Sequence, residues 1–181
     1  MKRLFVMTLV VGFLVSVLIG PTFSGWDPGE EDAMRKEAEA TVAQFKMKDP
    51  GIKRFFDNAY GYAVYPKVGS GAFIIGAAHG SGLVYERGKI VGKSSLSQGS
   101  VGLQAGGQSY SEIVFFENKA ALNSLKDGKM KFAAQASAVA LTAGASANAD
   151  YSNGVAVFTM GEAGLMLQAS IGGQDLTFEP K

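Results

Sequence analysis

His79 is the only histidine in the sequence, and small residues surround it from Ala77 to Gly82. A serine hydrolase would need this imidazole beside a serine nucleophile and an orienting carboxylate. Serines are frequent, but none lies in a Gly-x-Ser-x-Gly turn between a strand and a helix. A structural hydrogen bond or a ligand contact is the stronger prediction for His79. A hydrolase that uses His79 and a nearby serine is therefore the least favoured of three hypotheses, after a binding module and a structural or protein-interaction domain.

The sequence offers no residue set that would hold a metal or a cofactor. It contains no cysteine, which excludes disulfides, thiolate zinc sites and cysteine nucleophiles. Asp150–Gly154 carries oxygen ligands but lacks the acidic repeat of a calcium loop, so a turn is predicted there. Gly69–Gly71 and Gly80–Gly82 could present backbone N–H groups to a phosphate, but they lack a Walker lysine and a Rossmann context. We therefore predict no cofactor and no metal.

A local excess of basic residues is the clearest indication of a binding surface. Between Gly61 and Phe116, four bases accompany two acids, Glu86 and Glu112, and two further bases precede this region. Bases beside apolar strand ends could hold anionic headgroups, each near-surface cation contributing about 1 kcal/mol. With the histidine, the candidate lipid-binding residues are Lys53, Arg54, Lys67, His79, Arg87, Lys89 and Lys93. Ordinary solvated lysines at turns would give the same pattern, and both interpretations stay open here.

The composition fits one packed domain. Of 181 residues, 47% are apolar and only 18% are charged, and 24 are glycine. This apolar fraction can offset the entropy lost on ordering the chain, which argues against disorder. The net charge of +1 does not provide the basic field of a nucleic-acid binder, so no nucleic-acid partner is expected.

Residues 1–24 have the layout of a secretory signal peptide. Two basic residues precede an apolar run from Leu4 to Ile19, and Pro21 and small residues follow, with cleavage predicted near Ser24-Gly25. The run approaches the length of a membrane span, so an uncleaved anchor is the alternative. Both interpretations predict an exported, periplasmic or extracellular domain. A lipoprotein is excluded because no cysteine is available for acylation.

After a linker at residues 25–29, the sequence predicts two helices. Apolar residues recur at helical spacing from Glu30 to Met47, and charged residues fill the remaining face. The narrow apolar stripe favours a helix packed on the domain over a helix lying in a membrane surface. Asp49 and Pro50 are a cap and a first-turn proline for a second, short helix.

From Tyr62 onward the sequence changes to short apolar runs separated by glycines, which is typical of β-strands. The predicted strands are Tyr62–Tyr65 (stopped by Pro66), Gly71–His79, Gly82–Glu86, Lys89–Val91, Ser100–Ala105, Ser109–Phe116, Lys131–Ala138, Val139–Ala147, Val155–Met160, Leu165–Ile171 and Leu176–Phe178. A third helix is predicted over Asn118–Lys126. The connections are too short for parallel crossovers, and small residues permit curling. The predicted fold class is α+β: a curled, mainly antiparallel β-sheet or barrel-like shell with two N-terminal helices and one short mid-chain helix.

Several of these segments resemble the SYLF domain family. The strongest resemblance is Leu96–Phe116, which follows the core signature of the family almost residue for residue. The other matching segments are Tyr62–Gly69, Gly76–Tyr85, Gly154–Thr159, Gly164–Met166 and Gly172–Gln174. The resemblance as a whole extends over roughly Glu30 to Phe178, so residues 30–181 are interpreted as a SYLF-like lipid-binding domain.

This resemblance implies a non-enzymatic lipid-binding module. Eukaryotic SYLF members bind phosphoinositides through an amphipathic N-terminal helix and basic residues, and they are linked to actin patches. The matching positions here are the segment before Pro50 and the region of Lys67. Bacterial members are typically exported, and this chain lacks the partner domains of the eukaryotic members, so no actin partner is expected. The predicted partner is a phospholipid membrane surface, with the basic patch beside apolar strands recognising headgroups. The alternative is a structural or protein-interaction domain of the envelope that assembles through its sheet edges.

Overall fold

A computed structural model describes residues 27–69, 77–99, 109–132, 137–161 and 173–181. The described residues form one seven-stranded sheet and three α-helices. The helices are α1 (Pro28–Lys48), α2 (Lys53–Asn58) and α3 (Lys119–Lys126). The strands are β1 (Gly61–Gly69), β2 (Ala77–Glu86), β3 (Lys89–Gly99), β4 (Tyr110–Phe116), β5 (Val139–Ala140), β6 (Val155–Gly161) and β7 (Gln174–Pro180). The predicted leader and the strands predicted at Ser100–Ala105 and Leu165–Ile171 lie outside the described residues.

Local capping explains where α1 and α3 begin. The Asp27 carboxylate accepts the Gly29 N–H at 2.8 Å, so α1 starts two residues before the predicted Glu30. In α3, the Asn118 side chain accepts the Ala121 N–H at 3.0 Å. Gly128, with φ +65°, closes the turn that follows this helix.

Helix α1 packs on the domain, as the sequence predicted. Its buried residues are Ala38, Thr41 and Phe45, which follow one another at helical spacing. They face the sheet, where α1 contacts β1 and β2. The rest of the helix is mostly polar and exposed. The interpretation as an amphipathic helix embedded in a membrane surface therefore does not fit α1 as a whole.

The sheet has the strand order β5-β6-β4-β1-β2-β3-β7 and is antiparallel except for the β5–β6 pair. The predicted curled or barrel-like closure is wrong, because β5 and β7 are edges that do not meet. The outer side of β7 pairs instead with the segment after α3: Leu176 N–H donates to Met130 at 3.2 Å, and Phe132 N–H donates to Gln174 at 3.0 Å. Such cover protects an edge strand from pairing with another chain.

Several predicted strands are corrected. The strands predicted at Gly71–His79 and Gly82–Glu86 are continuous in the described part of β2, and Lys131, predicted to begin a strand, forms only an isolated bridge. Pro66 does not end β1; its pairings with β2 and β4 shift register between Val64 and Val68, and an interrupted ladder tolerates the missing N–H of proline. The strand predicted at Val139–Ala147 keeps only the two residues of β5. Gly144, with φ +78°, leads instead into a 3₁₀ turn at Ala145–Asn148.

The sheet separates two apolar cores. The core under α1 and α2 contains Phe45, Phe55, Phe115 and Phe158, and the core under α3 contains residues such as Leu122. Glycine permits the close approach of β1 and β2. A Cβ added to Gly82 would lie 2.3 Å from the Val64 carbonyl oxygen, which accounts for part of the glycine content of these strands.

Candidate functional site

The seven candidate lipid-binding residues do not form one patch. Lys53 and Arg54 lie on α2. The Lys53 ammonium pairs with Asp57 at 2.6 Å, and the Arg54 guanidinium donates to the carbonyl oxygens of Ser146 (at 2.8 Å) and Ala149. Arg54 therefore ties α2 to the segment that follows β5.

Three further candidates lie elsewhere in the sheet. Arg87 is in the β2–β3 turn, where its guanidinium lies 5.0 Å from the centre of the Tyr60 ring, and Lys89 is exposed at the same end. Lys93, in β3, lies 3.1 Å from a carboxylate oxygen of Glu30 in α1. Arg87 and Lys89 thus lie at the β2–β3 turn, whereas Lys93 is held by α1.

Lys67 and His79 are the two candidates that the fold brings together. In the β1–β2 register, Lys67 is opposite Ser81, and His79 lies two residues before Ser81 on the same face. Such diagonal neighbours are roughly 7–8 Å apart. Ser95, opposite Ser81 on β3, adds another hydroxyl, and all four residues are exposed. This end of the sheet therefore presents a cation, an imidazole and hydroxyls to solvent.

A groove of about 520 Å³ lies between α1 and the sheet at this end. One wall is α1, and the other is formed by the ends of β1, β4 and β6. The groove is lined by Glu37, Ala40, Thr41, Gln44, Pro66, Lys67, Ser111, Met160 and Gly161. Its volume lies within the range of small-molecule sites, and the exposed Lys67 lies at its edge. We call this feature the α1 groove.

The last turn of α1 continues the groove; it lies in the segment before Pro50 that the family resemblance indicated, although Met47 and Lys48 were not among the candidate site residues. Met47 and Lys48 follow Gln44 by three and four residues, so they extend the same helix face. Met47 is 80% exposed and is the exposed large apolar residue of the described chain. In the described ranges, neither Lys48 nor Lys67 lies within ion-pair distance of a carboxylate. We call Met47, Lys48 and Lys67 the docking surface.

Among the described residues, His79 has no serine and carboxylate placed as a catalytic base requires. Its cross-strand neighbour on β3 is Ser97, and Asp175 on β7 lies beyond that serine, so Ser97 stands between imidazole and carboxylate. A triad instead needs the imidazole between the other two groups. The Asp175 carboxylate pairs with Lys131 at 2.9 Å. Within the described residues, no cluster of three or more His, Cys, Asp or Glu side chains could hold a metal ion.

A buried polar network on the α3 side of the sheet was also missed. Glu112 in β4 is fully buried, and the Gln174 amide of β7 donates to its Oε2 at 3.1 Å. The same amide donates to the Tyr110 hydroxyl at 3.1 Å, and that hydroxyl donates to Gln98 at 3.1 Å. We call Gln98, Tyr110, Glu112 and Gln174 the Glu112 network. The sequence did contain a signal for this network: Glu112 is the one acid in the apolar run of β4. It had been counted among the surface charges.

Burial changes the acidity of Glu112 strongly. Removal from water raises the pKa of its carboxyl to about 8, and the hydrogen bond from Gln174 offsets only part of this rise. Burial also raises the pKa of the neighbouring Tyr110, and Glu112 adds to that rise. Glu112 therefore contributes no negative charge to a surface patch at neutral pH.

No helix in the part of the chain that the structure describes has both the length and the apolar character needed to cross a bilayer.

Comparison with known proteins identifies related chains. Residues 97–180 match the family model Ysc84, described as "Las17-binding protein actin regulator". Over 143 residues the chain is 29% identical to Beta cell expansion factor A of Aeromonas veronii. The aligned region covers 78% of this chain and 54% of that relative, so the chain spans about half the length of the relative.

Proposed function

We propose that this chain, whose residues 97–180 match the Ysc84 (SYLF) family model, is a member of that family of lipid- and actin-associated binding modules and that it binds phospholipid headgroups at the docking surface. The proposal rests on two lysines, Lys67 in the lining of the α1 groove and Lys48 in the last turn of α1, that have no ion-pair partner among the described residues, together with the exposed Met47 beside Lys48. Cations attract anionic headgroups, and a protruding apolar side chain can enter the interface.

The magnitudes point to weak, reversible binding. Two lysines near an anionic surface contribute about 2 kcal/mol together, and full burial of a methionine contributes about 1.5–3 kcal/mol. These terms must offset the loss of translational and rotational freedom on association. We therefore expect binding that needs anionic lipid and weakens as salt is added.

Of the seven residues predicted from the sequence to bind lipid, the proposal keeps Lys67 as a headgroup contact and His79, which lies beside it, as a second one. The hydroxyls of Ser81 and Ser95 on the same face could donate to phosphate oxygens. Arg54 and Lys93 are engaged within the domain, which supports a structural role for them. Arg87 and Lys89 lie at the opposite end of the sheet.

We further propose that residues 1–24 direct export and that residues 30–181 act in the cell envelope; residues 28–29, predicted as part of a linker, begin α1 instead. The non-enzymatic role is part of the same proposal, supported by the order of His79, Ser97 and Asp175 across the described strands, in which the serine and not the imidazole is in the middle. Assembly through sheet edges is less well supported, because β7 is paired on both sides at its start and β5 has only two residues.

Charge reversal at Lys67 tests the proposal. We expect Lys67→Glu to weaken co-sedimentation with phosphatidylglycerol-containing vesicles roughly 30-fold, because about 1 kcal/mol of attraction becomes a similar repulsion. The measurement is the vesicle-bound fraction at low ionic strength, with phosphatidylethanolamine vesicles as the neutral reference.

Lys89→Glu is the matched control, since it makes the same charge change on an exposed lysine at the far end of the sheet. We expect Lys89→Glu to weaken vesicle binding by less than about twofold, apart from the effect of the changed net charge that both variants share. Equal losses for the two variants, or no vesicle binding by the unmodified chain, would refute the proposal.

A further inference from the structure

Three buried oxygen atoms around the Glu112 network have no hydrogen-bond partner in the described structure. They are Glu112 Oε1, Gln174 Oε1 and Thr159 Oγ1. Thr159 lies directly opposite Glu112 in the β4–β6 register, and both residues are almost inaccessible to water. No donor among the described residues reaches Glu112 Oε1, so a carboxylate would keep one charged oxygen buried and unsatisfied. A neutral acid in the same place leaves only an uncharged polar group unsatisfied, which costs much less.

The surroundings of Glu112 contain no compensating cation. The groups that face it are Tyr65 on β1, Tyr110 on β4, Thr159 on β6 and the two amides of Gln98 and Gln174. Burial raises the pKa of both tyrosines, so they stay neutral where the acid titrates. No described Lys, Arg or His side chain makes a hydrogen bond or ion pair with Glu112. A charge on Glu112 would be costly in this site.

The network also joins elements that are not neighbours in the sheet. Three strands separate β4 from β7 in the strand order, yet Gln174, the first residue of β7, reaches Glu112. The backbone carbonyl oxygen of Gln174 accepts a hydrogen bond from the Phe132 N–H, in the segment after α3. Gln174 therefore links the interior strand β4, the edge strand β7 and the segment that covers that edge.

We propose that Glu112 is a proton-dependent latch: its neutral acid holds the start of β7 over the α3-side core, and its ionisation releases that end. Hydration of the carboxylate requires the core to open, and the Gln174 side chain is the contact through which the start of β7 is tied to Glu112. This device is independent of lipid binding, because the network lies on the face of the sheet opposite the α1 groove.

The direction of the pH effect follows from linkage. The folded state holds the Glu112 proton up to about pH 8, whereas the unfolded state releases it near the ordinary glutamate value. The stabilisation is thus fully present at acidic pH and is lost as pH rises towards 8. Between the two pKa values, the unfolding constant should rise about tenfold per pH unit, and above about pH 8 it should level off.

Hydrogen–deuterium exchange on the full chain tests the latch. After correction for intrinsic exchange rates, we expect the opening constant of β7 amides to increase up to about tenfold per pH unit between about pH 6 and 8. Glu112→Gln, which keeps the shape but cannot ionise, should abolish this dependence. The control is Glu86→Gln, since Glu86 is paired with Lys126 at 2.5 Å and that contact lowers its pKa. The Glu86→Gln variant should keep the rise of the β7 opening constant between about pH 6 and 8.

A second measurement needs no variant. Infrared spectra of the unmodified chain should contain the C=O stretch of a protonated carboxylic acid at pH 7, and this band should disappear above about pH 8. An absent band at pH 7 would overturn the proposal. The proposal would also be overturned if the opening constant of the β7 amides did not rise with pH in the unmodified chain, or if the rise persisted in Glu112→Gln.

Discussion

Phe115→Ala is expected to lower the free energy of unfolding by about 3–5 kcal/mol, the range for deleting a fully buried aromatic ring. Phe115 has no exposed surface and lies in β4, at the centre of the sheet. Its ring centre lies 4.8 Å from that of Phe56, 5.5 Å from Phe55 and 5.8 Å from Phe158. The ring therefore holds α2 and β6 against the centre of the sheet, and its loss leaves a cavity that these elements cannot fill without moving.

Urea denaturation followed by circular dichroism measures this loss. Phe115→Leu is the matched variant, because it keeps an apolar side chain in the site and should cost less than the alanine change. A loss below about 1 kcal/mol for Phe115→Ala would show that α2 can collapse onto the sheet without the ring.

Asp49→Ala is expected to cost about 2–4 kcal/mol, because each hydrogen bond to a buried charged acceptor contributes about 1.5–3 kcal/mol. The Asp49 carboxylate is almost fully buried. It accepts the Gly51 N–H at 3.0 Å and the Ser146 N–H at 2.7 Å. One residue thus begins the 3₁₀ turn before α2 and fixes the turn between β5 and β6.

The Asp49 contribution should also depend on acidity. Burial alone would raise the pKa of Asp49, but hydrogen bonds from Ser146, Gly51 and Gly144 outweigh it and lower the pKa below its ordinary value. The stabilisation is present above the unfolded-state pKa, near 3.9, and is lost as pH falls through the folded-state value. Acid titration of thermal stability measures this. Asp57→Ala, at an exposed aspartate, is the control and should leave the acid limb unchanged.

Local features of the fold were predictable because their causes are local. Asn118 and Gly128 mark the ends of α3 through a cap and a positive φ. Arg87 and Gly88 adopt φ +49° and +77° in the β2–β3 turn, as a two-residue hairpin requires. The turn predicted at Asp150–Gly154 is likewise present.

The candidate site was less predictable, because it depends on register between distant strands. Lys67 and Lys93 carry the same charge in sequence, but only the fold gives Lys93 a partner in Glu30. Glu112 reads as a surface acid until β7 and β6 bury it. The barrel-like closure failed for a related reason: the segment after α3 pairs with β7 and occupies the position that a closing strand would need.

The central claim is that the end of α1 meets the lipid surface, and a dye at Met47 tests this most directly. The chain has no cysteine, so Met47→Cys and Lys89→Cys each give one labelling site for an environment-sensitive fluorophore. With phosphatidylglycerol vesicles, the label at position 47 should shift its emission to shorter wavelength and be quenched by a quencher placed in the acyl chains. The label at position 89 should not respond. Equal responses at both positions, or vesicle binding with no response at position 47, would contradict the account.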